Sequence, residues 1–389
     1  MKAKKFWHVM SYVLIALLSA AIALAVVLGS GLTNRQKQSK LDALEELILD
    51  RFIGEADRIY MEDAAADAMV NALGDRWSYY VPADQVAALM EQKNNAYVGI
   101  GVTITVSEDE TGLLITQVAA GGSAEEAGFL AGDVIVAVAG KPVAGQSLEE
   151  IKNQIRGEEN TQVEITVERE GKQITAMVTR KQIKTQVAAG QMLQNKIGLV
   201  RIVNFNENCK TETIAAIEQL LEQGAEKLIF DVRFNGGGSA AELVAILDYL
   251  LPEGPLFRTE DYAGKKTVET SDEKCLELPM AVLVNGESYS AAEFFAAALS
   301  EYEAAVVIGE QTTGKGYFQY TYMLPDGSAV GLSAGKYYTP NGVSLAEKGI
   351  TPDVVVPVDE ETANAIYAGM LKPEEDPQIQ AAVKALNGN

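Results

Sequence analysis

With 389 residues, 48% of them hydrophobic and 22% charged, the chain has the composition of folded globular domains and the length of two or three of them. Its formal net charge of -22 repels a phosphate backbone, and no Lys/Arg cluster interleaved with aromatics offsets it, so nucleic acid is not an expected partner. The only histidine, His8, lies at the edge of an apolar run near the N-terminus. A Ser/His/Asp triad, a Cys/His dyad and an HExxH zinc site are therefore excluded.

Cys209 and Cys275 cannot make a four-ligand zinc site without histidine, and they either pair in one disulfide or stay as free thiols. No metal and no cofactor is implied.

Between Phe6 and Leu32 there is no Asp, Glu, Lys or Arg. About 27 residues at roughly 1.5 Å each make a helix of about 40 Å, which spans a bilayer. Residues 1–35 therefore read as a cytoplasmic tip and a single-pass signal-anchor in the cell membrane. Lys2, Lys4 and Lys5 before the run are matched by Arg35, Lys37 and Lys40 after it, so the extracytoplasmic placing of the rest comes from the long domain behind an N-terminal anchor. A cleaved signal peptide is the competing reading, because Ala21-Ile22-Ala23 and Ala23-Leu24-Ala25 fit a small-residue cleavage rule.

Residues 36–94 read as a helical region, with Leu41, Leu44, Leu47 and Ile48 at helical spacing. From 95 to 180 the texture changes to short β-type runs with glycine turns, such as Val102-Thr103-Ile104-Thr105-Val106. Within it Tyr97-Val98-Gly99-Ile100-Gly101-Val102 opens a strand, and Ala127-Gly128-Phe129-Leu130-Ala131-Gly132-Asp133-Val134-Ile135 runs through a turn into another.

This segment resembles a PDZ domain, which would take a peptide C-terminus as an added strand. Its opening loop (Tyr97, Val98, Gly99, Ile100, Gly101) would meet the carboxylate, and Leu148 and Ile151 would line the opposite wall.

From 181 to 371, strand-like runs at 198–202, 228–232 and 280–284 alternate with helical stretches at 211–223, 239–251 and 291–301, the pattern of an α/β core. A Pro- and acid-rich stretch at 372–377 opens a tail, 372–389, that ends in a short amphipathic helix. The strand at 280–284 runs through Ser288-Tyr289-Ser290-Ala291-Ala292-Glu293 into a helix, which exposes a serine hydroxyl beside the helix N–H groups. A plain N-cap is the bland reading of Ser290.

Further on, Gly309 to Gly316 matches the P-loop spacing G-x-x-x-x-G-K. Gly316 stands where that motif needs a Ser or Thr hydroxyl, and the Walker-B candidate at 228–231 precedes the loop, so an ATPase fits poorly.

Taken in order, Asp231-Val232-Arg233-Phe234-Asn235-Gly236-Gly237-Gly238, the SxSxxE run at Ser288–Glu293 and Gly314-Lys315-Gly316-Tyr317-Phe318-Gln319 resemble the motifs of the carboxyl-terminal processing (tail-specific) protease family. The likeness extends from about residue 36 to the end, through Tyr338-Thr339-Pro340-Asn341-Gly342 and Gly349-Ile350-Thr351-Pro352-Asp353. It departs at Gly236, where the family has proline, and at Thr313, where it has phenylalanine.

The resemblance implies a multi-domain α/β protein: membrane helix, helical lead-in, β-rich PDZ domain and a crotonase/ClpP-like α/β protease core. It implies a serine endopeptidase acting on proteins or peptides with accessible C-termini. Ser290 would be its nucleophile, Lys315 its general base and Gln319 the residue orienting that base. The backbone N–H groups of Gly237, Gly238 and Ala291 would form the oxyanion hole. A catalytically silent, membrane-anchored PDZ adaptor is the reading from another class.

Overall fold

The computed structural model describes residues 39–107, 111–119 and 121–388. The apolar run Phe6–Leu32 lies outside them, and among the described residues no helix is long and apolar enough to cross a membrane. The chain divides into two compact units, with the boundary at Gly74/Asp75.

In the first unit, helices Lys40–Arg51 and Arg58–Asn71 each begin at a capping residue. Ser39 and Asp42 exchange side chain-to-backbone hydrogen bonds at 3.1 Å in a capping box, and Asp57 accepts from the Tyr60 N–H at 3.1 Å. Leu41, Leu44 and Leu47 recur at helical spacing as expected, yet all three are exposed.

The helical reading of 36–94 gives way after Gly74. Tyr79–Val81 is a strand in the larger unit, paired antiparallel with Ala329–Val330–Gly331, and only Val86–Lys93 is α-helical in that stretch. Three consecutive β-favouring residues, Tyr79, Tyr80 and Val81, followed by Pro82, account for it.

The β-rich segment forms an antiparallel sheet in the order Val102–Val106, Leu113–Val118, Val134–Val138, Gln162–Arg169, Lys172–Thr179, with the short Lys141–Pro142 beside the third strand. Phe129, Ile115, Ile135, Ile151 and Ile165 fill its core. The Gly-Asp turn has a physical reason. Gly128 and Gly132 hold positive φ of 79° and 97°, and the buried Asp133 receives Arg169 at two oxygens, Nε at 2.6 Å and Nη2 at 2.7 Å. The chain enters and leaves this domain side by side, because Ala96–Gly99 pairs antiparallel with Lys181–Lys184.

The core sheet has the order Ala188–Met192, Ile197–Ile202, Lys227–Asp231, Met280–Val284, Ala305–Gly309, Val354–Val355, antiparallel only at the first pair. Its middle strands are apolar throughout because both faces are covered. Alternate residues divide between two clusters. Leu228, Phe230, Val282 and Val284 pack with helices Cys209–Glu222, Ala240–Leu250 and Ala291–Glu301; Ile229, Ala281 and Leu283 pack with Ile379 and Ala382 of the tail helix Pro377–Leu386.

The tail is also tied electrostatically. Arg233 is buried between Asp231 (2.7 Å) and Asp376 (2.9 Å), so the turn after strand Lys227–Asp231 is pinned to the N-terminus of the tail helix. A second, antiparallel sheet gathers Tyr79–Val81, Gly254–Asp261, Lys266–Ser271, Tyr317–Met323 and Ala329–Tyr338. Both cysteines are free, Cys209 buried and Cys275 half-buried.

Candidate active site

Strand Met280–Val284 ends in a turn stitched by Ser288, a fully buried residue whose hydroxyl donates to the Val232 carbonyl at 2.8 Å and accepts from the Asn285 N–H at 3.0 Å. The first serine of the SxSxxE run thus ties two sheet ends together. The second, Ser290, sits at φ 58°, ψ -124°, a conformation rare for a residue with a Cβ, at the N-cap of helix Ala291–Glu301. Such strain costs roughly 1–3 kcal/mol and persists only where the surroundings enforce it. Here they do: the Tyr289 N–H donates to Asn235 O at 3.1 Å and the Ser290 N–H to Glu293 Oε2 at 3.0 Å.

The glycine loop abuts this turn. A Cβ at Gly237 would lie 2.7 Å from the Ser290 Cβ and 2.8 Å from the Ala291 nitrogen, and one at Gly238 would lie 2.3 Å from the Phe205 carbonyl carbon. Only glycine lets the loop approach so closely. Of the three backbone groups expected to hold an oxyanion, the Gly237 N–H is occupied, donating to Asn235 Oδ1 at 2.8 Å. Gly238 follows it, and Ala291 opens the helix beside Ser290.

Lys315 enters from the loop between strands Ala305–Gly309 and Tyr317–Met323. Its amine rests on aromatic faces, 4.8 Å from the Trp77 ring centroid and 5.8 Å from that of Tyr289; these two rings are themselves 5.7 Å apart. Burial pushes the amine down to about 8, and the negative charges of Asp75 and Glu293 pull it part of the way back. The Ser290 hydroxyl has a different partner: it accepts from the Tyr337 OH at 3.0 Å.

Tyr337 is buried among Phe257, Phe294 and Phe318, and its phenol is pushed upward by that burial, so it stays protonated and donates. Gln319 directs its amide N–H groups to the Tyr317 carbonyl (3.1 Å) and Ser333 Oγ (3.2 Å). Ser290, Gly237 and Ala291 are therefore in contact, the Lys315 backbone is close by, and the side chains of Lys315 and Gln319 are directed elsewhere.

Sequence reasoning did not single out Trp77, Asp75 or Tyr337, which reach the site from distant segments. Glu293 was visible only as the last letter of a motif.

In the β-rich domain, strand Val102–Val106 is the free edge of its sheet, as a peptide-accepting strand must be. Ile100 and Ile151 are both buried in the domain core, and half-buried Leu148 packs against the same cluster. Tyr97, Val98 and Gly99 belong to the ribbon with Lys181–Lys184, where the Val98 N–H donates to Glu91 Oε1 at 3.2 Å and the Arg156 guanidinium lies 5.4 Å from the Tyr97 ring centroid. Gly101 takes a φ of 80° and follows directly.

A strained serine at a helix N-terminus, a glycine loop against it and a half-buried amine of lowered basicity are the parts of an acyl-transfer site. Residues 196–356 match the family model of peptidase family S41, and residues 114–169 match a PDZ domain. The carboxy-terminal processing protease CtpA of Bacillus subtilis is 32% identical over 328 residues, covering 84% of this chain and 70% of that protein. A CtpA-like serine protease of Staphylococcus aureus (strain COL) is 29% identical over 364 residues, covering 90% and 73%. Among solved structures, the photosystem II D1 C-terminal processing protease is 29% identical with a TM-score of 0.47, covering 82% of this chain and 87% of that one. The chain belongs to the carboxy-terminal processing proteases of peptidase family S41: it is a serine-type peptidase with a PDZ domain.

Proposed function

We propose that this peptidase is a membrane-anchored endopeptidase that selects proteins by their C-terminal tails and cuts them with Ser290 as nucleophile and Lys315 as general base. The observation that carries this reading is the pairing of a strained, helix-capping Ser290 with a half-buried lysine whose amine is pushed down to about 8. An ordinary lysine near 10.4 is neutral in about one molecule in 2,500 at pH 7; at about 8 the neutral fraction is about one in ten.

Ser290 Oγ attacks the scissile carbonyl carbon and its proton passes to Lys315 Nζ, which then gives it to the leaving amine. A water molecule, deprotonated by the same amine, next cleaves the acyl-ester and frees Ser290. The developing oxyanion faces the Gly238 and Ala291 N–H groups. For this the Lys315 side chain leaves the Trp77 and Tyr289 rings for Ser290 Oγ, and Gln319 turns toward it. A substrate tail enters as a strand on the free edge Val102–Val106. The apolar run Phe6–Leu32 supplies the anchor, with the catalytic part extracytoplasmic.

The test is digestion of an unfolded protein such as casein. Wild type is expected to cleave it and Ser290→Ala to leave it intact; turnover by the alanine variant at the wild-type rate would sink the assignment. Peptides with a free C-terminus are expected to bind residues 95–180 of the full chain more tightly than their amidated forms, and equal affinities would reject tail recognition. Retention of the full chain in membranes after an alkaline wash tests the anchor, and complete release would refute it.

A further inference from the structure

Glu293 is fully buried on the first turn of helix Ala291–Glu301, and its carboxylate accepts four hydrogen bonds. Oε1 takes the Thr312 hydroxyl at 2.6 Å and the Gly314 N–H at 2.7 Å; Oε2 takes the Ser290 N–H at 3.0 Å and the Lys315 N–H at 2.9 Å. A helix cap needs only the bond to Ser290. The other three donors come from a loop 19 to 22 residues further along the chain.

We propose that Glu293 is the positioning residue of the catalytic pair: one carboxylate oxygen bridges the main-chain nitrogens of nucleophile and base, and so fixes the two backbones against each other. The proposal rests on the Ser290/Lys315 reading. Because both nitrogens bond the same atom, they cannot separate by more than the two bonds joined end to end. The Lys315 side chain can then swing from the Trp77 and Tyr289 rings to Ser290 without any loop movement.

An isolated carboxylate in such a place would be costly, and four donors are what make it tolerable. An ion also suits the geometry better than an amide. All four groups are donors, so an NH2 at either end of a glutamine would face a main-chain N–H: those of Ser290 and Lys315 at one end, that of Gly314 at the other. Its charge is felt by Lys315 and by the Tyr337 phenol, and Lys315 also feels Asp75.

The experiment compares Glu293→Gln, Glu293→Asp and Thr312→Val with wild type in the full chain, reading kcat, KM and the pH profile on casein. Misplacing the base by about 1 Å lowers kcat about 10²-fold with KM little changed, and this is expected of Glu293→Gln. Its rate midpoint is expected to fall below wild type, because an anion near Lys315 is gone. Glu293→Asp keeps the charge and is expected to retain more activity, with the midpoint unmoved.

A kcat within about twofold of wild type in Glu293→Gln would overturn the proposal, as would a low kcat with an unmoved midpoint, which marks a merely structural cap. If Glu293→Gln does not fold, Thr312→Val decides. It takes the donor away from Oε1, and the acceptor of the Ile350 N–H (2.7 Å) with it, so the carboxylate that bridges through Oε2 is held less firmly; a severalfold lower kcat supports the bridge and an unchanged kcat refutes it. Ser290→Ala separates the two levels: if it is inactive while Glu293→Gln is not impaired, only this inference fails; if it is active, the catalytic pair itself fails.

Discussion

The two halves of the proposed catalytic site are built in different ways. Ser290 is placed by its own neighbourhood: a strand end, a turn held by Ser288, a helix start, and a glycine loop too close to admit a Cβ. The side chain of Lys315 is placed by Trp77 and Asp75, more than two hundred residues away, together with Tyr289 beneath its amine and Glu293 within electrostatic reach. A nucleophile needs a fixed geometry, which a strand-turn-helix and the neighbouring strand end packed against it supply. A base needs a shifted basicity, which only an environment supplies.

The largest expected effects come from deleting either half. Ser290→Ala and Lys315→Arg should each lower kcat/KM by about 10⁴-fold or more in a casein assay, since a guanidinium keeps its proton at every working pH. An arginine variant within tenfold of wild type would make Lys315 an electrostatic residue rather than a base. Wild type should gain activity with pH through about 8, where burial has set the lysine, and a flat profile from pH 6 to 10 would contradict this.

Next comes the contact that enforces the serine geometry. In Gly237→Ala the new Cβ would sit 2.7 Å from the Ser290 Cβ, at a φ of 87°. Strain of about 2–3 kcal/mol is expected, with kcat down about 10²-fold and the Lys315 midpoint unchanged. A shifted midpoint would show that the two halves are not separable.

How legible this was from sequence follows the same division. The serine half was readable because a strand, S-x-S-x-x-E and a helix lie within some twenty residues, and the helix at 291–301 and strand at 280–284 are found at those bounds. The lysine motif singled out Lys315 but said nothing of its surroundings. Trp77 lies in a stretch read as helical, where nothing linear marks a contact with Lys315 across more than two hundred residues. Tyr337 is the next-to-last residue of a long strand and looks like any core aromatic. In the PDZ domain the Gly-Asp turn was legible because Asp133 and its positive-φ glycines are local, whereas the burial of Ile151 depends on which face its helix turns inward.

Lys315 also tests the environment through stability. Its amine sits at about 8 in the folded chain against 10.5 when unfolded, so at pH 7 the folded state carries a desolvation cost of up to about 3 kcal/mol. Contact with the rings offsets about 1 kcal/mol of that loss once the amine is removed. Between pH 8 and 10.5 the unfolded state binds more protons, so wild-type stability rises with pH there. Lys315→Met should therefore be more stable than wild type by about 2 kcal/mol at pH 7 in urea unfolding, with the gap closing toward pH 10.5. A variant less stable than wild type at pH 7 would mean that the cost of burying the amine is balanced within the site.

The smallest effect expected is that of Trp77, and its sign decides what the ring does for the base. Trp77 is held by its main-chain N–H, which donates to Asp75 Oδ1 at 3.1 Å, and Asp75 also accepts from the Ser78 hydroxyl at 2.6 Å. The indole covers the amine, which lowers its basicity by excluding water; its π-face also attracts the ammonium, which raises it. Burial is the leading cause of the depressed value, and cation–π attraction at a half-exposed site is worth only about 0.5–1 kcal/mol, so exclusion of water should win. Trp77→Ala is then expected to raise the midpoint of the rate by about one unit, lowering activity at pH 7 about tenfold while the alkaline plateau persists. Trp77→Phe keeps most of the cover with a weaker π-face, and its midpoint should stay at or slightly below wild type. If the alanine variant instead moved the midpoint downward, the ring would be a cradle for the charged amine, and the depression of Lys315 would have to come from the rest of its pocket.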